Sequence, residues 1–257
     1  MRKPLSMNSE KGLKRIGKLT KPKVSISWSG GKDAALALYK ILQSEQYHVV
    51  SLHTTFDHAL KRVSMHGIPE ALAIAQAEAI GLPLERIYIE ADSTRQSYED
   101  AMAAFCLEQK EKGIEAIVFG DILLEDLKVY REKKLGEVGL KAIFPLWGAS
   151  TQRLAEQIIE EGFKTMICCL NDEKLSHSLI GKTLSRSILQ EIAYNADPCG
   201  EYGEYHTFVF DGPIFNNPVS FIKGKIVSKN YEFKTENEGV VTKNSSMFWF
   251  QEVLPTS

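Results

Sequence analysis

Ser27-Trp28-Ser29-Gly30-Gly31-Lys32-Asp33 decides how the rest of this sequence is read. An apolar, strand-like run, residues 24–28, leads into it. A run with apolar residues at helical spacing leads out: Ala34, Ala35, Leu38, Ile41 and Leu42. Strand, glycine pair, helix is the arrangement that aims successive backbone N–H groups and a helix N-terminus at an anion. Gly30 and Gly31 accept positive φ and let a phosphate approach the main chain. Lys32 adds a mobile positive charge. Asp33, at the helix start, is placed to cap the helix or to hold a divalent ion that bridges phosphates. Ser-Gly-Gly-Lys-Asp alone also suits an ordinary surface turn, but the flanking strand and helix favour a nucleotide-phosphate site. It is not a P-loop, because Asp33 stands where that motif has Ser or Thr.

The 257 residues suffice for one large or two modest domains with a sizeable core. Hydrophobic content of 44% and charged content of 25% are ordinary globular values. A net charge of −2 gives no electrostatic footprint of a dedicated nucleic-acid binder. No apolar run approaches the ~20 residues of a membrane span, and no secretory segment is visible. Cys106, Cys168, Cys169 and Cys199 show no Cys-x-x-Cys spacing, which argues against a zinc ribbon or redox pair. The chain therefore reads as cytoplasmic. Its first 22 residues are basic, with Lys11, Lys14, Arg15, Lys18 and Lys21 against Glu10, and read as a short helix or a disordered tail.

From Lys23 onward, strand-like and helix-like runs alternate. Residues 49–55, 87–89, 114–119 and 165–170 read as strands, and residues 69–80, 98–112 and 154–161 as helices. Those helices are closed by Gly81, Gly113 and Gly162, a common helix stop. Such alternation predicts right-handed βαβ units, a parallel sheet, and ligands at the carboxyl ends of its strands. Ser29 to Asp33, Thr54 to Asp57 and Gly120-Asp121 all fall at those ends. Past about residue 172 the alternation fades into a helical stretch, 179–194, and short strand-like runs at 207–210, 219–222, 225–227 and 247–253. A basic tail (1–22), an α/β unit bearing the glycine turn (23–147) and an α+β unit (148–257) is the economical division.

Three further blocks could carry chemistry. Gly120-Asp121 closes a strand and is followed by a charged helix-like segment in which Arg131 lies one short helix away from the phosphate rim; a guanidinium fork suits phosphate oxygens. His66-Gly67-Ile68-Pro69 precedes a helix, and its imidazole reads more simply as a local hydrogen-bonding group. Gly200-Glu201-Tyr202-Gly203-Glu204-Tyr205-His206-Thr207 packs two glycines, two carboxylates and a histidine just before a strand. Such a segment can bind ligands through backbone amides, while Glu201, Glu204 and His206 can orient an amine or move its proton. A tight turn with exposed charges is the plainer alternative.

Ser29-Gly30-Gly31-Lys32-Asp33 resembles the pyrophosphate loop of the N-type ATP pyrophosphatases, with Ala34 in place of the Ser that usually ends it. Residues 119–126 with Tyr130-Arg131-Glu132, then Phe144-Pro145-Leu146-Trp147, and then residues 197–208 resemble the diphthine–ammonia ligase family, over most of the chain from about 23 to 215. That resemblance implies a Rossmann-like (HUP-type) α/β/α sandwich with a smaller α+β domain behind it. It also implies a reaction in which ATP activates a carboxylate as an acyl-adenylate and ammonia displaces AMP. Tyr205-His206-Thr207 departs from the Tyr-Glu-Thr usual in the eukaryotic enzymes, which bears on the acceptor rather than on ATP.

On this reading Ser29, Gly30, Gly31 and Lys32 hold the phosphates of ATP, and Asp33 a Mg2+ ion. Main-chain groups of Thr54, Thr55 and Phe56 meet the adenine, and Gly120, Asp121 and Arg131 complete the phosphate side. Lys32, Asp33, Glu201, Glu204 and His206 are the expected catalytic residues. Partners are ATP, ammonia and a carboxylate acceptor, small molecule or protein side chain, with a homo-oligomer left open. Two alternatives stand beside it: a tRNA-modifying sulfur transferase using Cys106 or Cys199, and a non-catalytic adenine-nucleotide-binding module.

Overall fold

A computed structural model describes residues 21–90, 95–237 and 240–256; the basic segment, apart from Lys21 and Pro22, lies outside them. The first part of the chain runs β1 (Lys23–Ser27), α1 (Lys32–Ser44), β2 (His48–Asp57), β3 (Arg62–Val63), α2 (Glu70–Ile80), β4 (Leu84–Ile89), α3 (Arg95–Glu111), β5 (Ala116–Val118), α4 (Glu125–Glu137) and β6 (Lys141–Ile143). Its parallel strands lie in the order β4-β2-β1-β5-β6, and β3 adds a short antiparallel pairing at the end of β2. Two strands follow β1 on one side before the chain crosses to the other, so the order reverses between β1 and β5. Ligands of open α/β sheets sit outside the strand ends at such a switch point.

Burial explains why these runs become strands. Ala116, Ile117 and Val118 are all buried, as expected for a parallel strand covered on both faces. Their side chains alternate between two cores. Ala116 and Val118 pack with Ala35, Leu38 and Leu154 of the α1 side, while Ile117 packs with Phe105, Cys106 and Leu135 from α3 and α4. The sheet is thus sandwiched between helices, the Rossmann-like arrangement expected. Gly81, Gly113 and Gly162 all adopt positive φ, and Gly81 closes α2 by donating to the carbonyls of Ala77 and Glu78.

The second part comprises α5 (Thr151–Glu160), β7 (Lys164–Asn171), α6 (Arg186–Asn195), β8 (Tyr205–Asp211), β9 (Phe221–Asn237) and β10 (Val240–Pro255). Its sheet is antiparallel, in the order β8-β7-β10-β9. Three expectations change here. The strand at 165–170 does not extend the parallel series but joins this second sheet. The stretch 179–194 is not one helix: a short 3-10 turn ends at Leu179, Gly181 turns the backbone through φ +73°, and α6 starts afresh where the Ser185 hydroxyl accepts from Ile188 N–H. The runs at 219–222 and 225–227 merge from Phe221 onward into one long strand, whose register with β10 shifts at Gly224–Lys225 opposite Glu252 without ending the strand.

The two parts share a core. Ile26, Trp28 and Leu38 sit in one apolar cluster with Ile167, Leu170, Tyr205 and Val209. The contact brings the outer strand of the second sheet, β8, against the loop after β1.

Candidate active site

Residues 29–33 turn from β1 into α1 with Gly30 at φ +80°. Gly31, not Asp33, is the N-cap residue, and no side chain caps the helix. Asp33 lies inside the first turn, and its carboxylate is drawn to the Lys32 ammonium, 2.8 Å away. Lys32 is 2% exposed and also donates to the Cys199 carbonyl, with the Tyr205 ring 5.0 Å from its Nζ. Burial works against that ammonium, but Asp33, Tyr205 and Cys199 outweigh it and hold the Lys32 pKa above its ordinary value.

Gly120 meets the same turn from β5. A Cβ there would lie 2.8 Å from the Asp33 carbonyl carbon and 2.9 Å from Ala34 N, so only glycine lets the two strand ends approach this closely. Behind it, Arg131 lies over the Phe119 ring, its guanidinium carbon 4.1 Å from the centroid. Arg131 Nε is 3.0 Å from Asp121 Oδ2, close enough to pair as charges, although neither atom makes an aligned hydrogen bond. Burial raises the Asp121 carboxyl, opposed by Arg131.

Facing this rim is the segment 199–207. With Lys32, Asp33, His66 and Leu124 it encloses a cavity of about 510 Å³, lined by Cys199, Gly200, Glu201, Tyr202, Gly203, Tyr205, His206 and Thr207. Asp197 organises the turn, its Oδ1 accepting from the N–H groups of Cys199 and Glu201. Glu204 faces inward: it is 4% exposed, and its two oxygens accept from Asp197 N–H at 3.2 Å and Tyr202 N–H at 2.9 Å. Glu201 reaches across instead, Oε2 accepting from Leu123 N–H at 3.1 Å, beside the start of α4. Burial, reinforced by Asp33, pushes its carboxyl up to about 7. His206 and His66 sit with ring centroids 4.7 Å apart, and burial lowers both, His66 to about 4.

The structure therefore gathers Lys32, Asp33, Glu201 and His206 about one cavity, with Gly31 and Gly120 packed beside it, Gly31 against His66 and Gly120 against the Asp33 backbone. Gly30 forms the back of the turn, and Ser29 Oγ accepts from Gly31 N–H within it. Thr54, Thr55 and Phe56 lie elsewhere. They belong to the body of β2, which runs past the end of β1 and pairs with β4 there. Thr54 donates its hydroxyl to the Trp28 carbonyl, and Phe56 is wholly buried in a second apolar cluster. Two contributors carried no assigned role in the sequence: Thr207, whose hydroxyl accepts from Lys32 N–H at 3.0 Å, and Gln76, bonded to Gly30. The one sequence signal for Gln76 is its place on the apolar face of a helix, between Ala73 and Ala77.

Among the described residues no group of three or more His, Cys, Asp or Glu is gathered as a metal cage. Asp33 is engaged by Lys32, and no set of further ligands surrounds it among the described residues, so these residues do not form a resident metal cage. The cysteines are equally closed: Cys199 Sγ donates to the Thr151 carbonyl, and burial pushes the Cys106 thiol up to about 11.

A glycine turn at a switch point, a buried lysine in it and a titratable cavity against it define the class: an open α/β fold whose switch-point cavity is closed by a second sheet. Comparison with known proteins gives that class a family. The N-terminal domain of diphthamide synthase matches residues 22–142 and its C-terminal domain residues 150–241. This chain belongs to the diphthamide synthase family. It is 30% identical over 168 residues to the diphthine–ammonia ligase of Homo sapiens, covering 59% of this chain and 62% of that protein. It is 26% identical over 213 residues to that of Danio rerio, 74% of this chain and 83% of the relative. With the diphthine–ammonia ligase of Schizosaccharomyces pombe the match is 24% identical over 190 residues, but spans 29% of that protein.

Proposed function

We propose that this protein is an ATP-dependent, AMP-forming amide ligase of the diphthine–ammonia ligase kind. The observation that carries the reading is the single cavity shared by the glycine turn at Lys32 and the carboxylate-bearing turn at Glu201. ATP lies with its phosphates against the turn of residues 29–33, beside the Lys32 ammonium. Lys32 exchanges its bond to the Cys199 carbonyl for one to a phosphate oxygen, and Arg131 with Asp121 flanks the phosphates. The adenine extends out of the cavity toward the carboxyl end of β2, where main-chain groups and not the buried side chains of Thr54 and Phe56 would meet it. Mg2+ would enter as part of the MgATP substrate, with phosphates and water as most of its ligands, and Asp33 would be the carboxylate of the turn that meets it.

An acceptor carboxylate oxygen attacks the α-phosphorus, pyrophosphate leaves, and an acyl-adenylate forms. Ammonia then attacks the acyl carbon, AMP departs, and the attacking nitrogen gives up one proton to leave an amide. Glu201, titrating near neutrality, takes that proton. Neutral His206 lines the acceptor side, and Glu204 shapes the turn that presents Glu201. Most of the rate enhancement comes from alignment and from neutralising the departing pyrophosphate. We read the units 23–147 and 148–257 as the ATP and acceptor domains, acting inside the cell.

The test is exchange of labelled pyrophosphate into ATP across a panel of carboxylic acids and a diphthine-bearing elongation factor, followed by ammonia-dependent AMP release. Acceptor-dependent exchange is expected. ATP binding with no exchange for any acceptor would leave a nucleotide sensor. The sulfur-transfer reading lacks support, since it needs an accessible thiolate and every described cysteine is buried.

A further inference from the structure

Two polar side chains outside the glycine turn hold it, and both reach the same strand. Gln76, fully buried on α2, has a fixed amide orientation. Trp28 Nε1 can only donate, so the atom 3.0 Å from it is Gln76 Oε1, leaving Nε2 to donate to the carbonyls of Gly30, at 3.0 Å, and Val209. His66 Nδ1 lies 2.9 Å from the Thr207 carbonyl. A carbonyl only accepts, so Nδ1 carries the hydrogen and the neutral ring keeps its lone pair on Nε2.

Each of these groups fills the space a side chain would need on one glycine. A Cβ on Gly30 would lie 2.8 Å from Gln76 Oε1, and one on Gly31 would lie 2.6 Å from His66 Cε1. Their acceptors, Thr207 and Val209, are two apart on β8, so both carbonyls leave the same edge of the strand. That edge is the outer one of the second sheet, away from β7. Along it, Val209 N–H also donates to Gly30 O at 2.9 Å, and Thr207 Oγ1 accepts from Lys32 N–H at 3.0 Å. The turn covers an otherwise open sheet edge, and the edge sets the turn's shape.

We propose that Gln76 and His66 are positioning residues of the nucleotide site, clamping Gly30 and Gly31 to β8 so that the acceptor domain's edge strand forms one wall of the phosphate turn. The proposal rests on the ATP-site reading above. It makes phosphate affinity depend on Gln76, which lies behind the turn, on His66, which reaches it from the cavity wall, and on a strand roughly two-thirds of the chain away.

Gln76→Glu keeps shape but removes both donors. His66→Ala removes the donor to Thr207, and His66→Asn restores an N–H near the Nδ1 position. Affinities for ATP and for adenosine are measured by calorimetry, below the melting temperature of every variant. Gln76→Glu and His66→Ala should each weaken ATP at least tenfold while adenosine changes less than about threefold; His66→Asn should recover most of the ATP affinity. An unchanged ATP-to-adenosine ratio in folded Gln76→Glu and His66→Ala overturns the proposal, as does Asn performing no better than Ala. Should Gln76→Glu not fold, the His66 pair decides. Hydrogen exchange at the Lys32 and Val209 amides gives a second reading without nucleotide: protection falls at least tenfold in Gln76→Glu and His66→Ala, and unchanged protection refutes the clamp. A wild type that binds no ATP would sink the ligase reading alone, with the clamp still decided by exchange.

Discussion

Lys32 donates its ammonium to the carbonyl of Cys199, 167 positions further along the chain. The bond makes Lys32 both the charge of the glycine turn and a tie to the facing segment. On the ligase reading, phosphate binding redirects it, and two partners then compete for one group.

Lys32→Ala should therefore weaken ATP binding. A charge-assisted hydrogen bond contributes about 1.5–3 kcal/mol, equivalent to roughly 10–150-fold in affinity. Calorimetric titration of ATP into wild type and variant checks this, and equal affinities would remove the turn from the nucleotide site.

Glu201 should give stability a sign that most carboxylates do not. Its carboxyl is held up to about 7 by burial and by Asp33, from an ordinary 4.5. Between those values the folded protein keeps a proton that the unfolded chain has released, so stability falls as pH rises through that window. Glu201→Gln should flatten the slope and be the more stable protein above pH 7, by urea midpoints taken across the window. The same variant should lose ammonia-dependent AMP release by about 10²-fold or more, with ATP affinity near wild type. Parallel pH slopes in the two proteins would show that Glu201 titrates normally.

A pair of glycine-to-alanine changes should move in opposite directions. At Gly120 the added methyl meets the Asp33 and Ala34 backbone inside 3.0 Å, so the turn must shift and both melting temperature and ATP affinity should drop. At Gly136, exposed in α4, nothing lies within 4 Å of the added atom. There alanine should stabilise by about 0.5–1 kcal/mol. Thermal melts of both, with ATP titrations of the first, suffice; a neutral Gly120→Ala would mean the two strand ends are not tightly apposed.

The four buried thiols should resist reagents. Burial pushes the Cys106 thiol up to about 11 and the Cys199 thiol well above its ordinary value. At pH 8 the native protein should react with a thiol-disulfide reagent only after denaturation. Cys106→Ala should keep its turnover. Rapid labelling of the native protein would reopen sulfur transfer.

What could be read from the sequence follows physical range. The parallel sheet was legible because its strands are short apolar runs punctuated by Gly81 and Gly113, signals contained within each element. The glycine turn was legible for the same reason. The fate of 165–170 was not, since an apolar run looks alike in a parallel and an antiparallel sheet; only its partners β8 and β10 decide. The inward turn of Glu204 and the outward reach of Glu201 were equally hidden. Two carboxylates three positions apart are equivalent until the backbone of Gly200 and Gly203, both at positive φ, sends them different ways. Gln76 was invisible because its partners Trp28, Gly30 and Val209 lie in three different segments.

The attachment of the glycine turn to β8 also sets a timetable for biosynthesis. Lys32 and Thr207 are separated by 175 positions. At about 5–20 residues per second of synthesis, the turn leaves the ribosome roughly 10–35 s before the strand that completes it. Through that interval Gln76 and His66 have no β8 carbonyl to bind and Trp28 no second sheet to pack on. On the proposed reading, a nascent chain engages no nucleotide until residues 148–257 have been made, and a truncated product would carry the motif without the site.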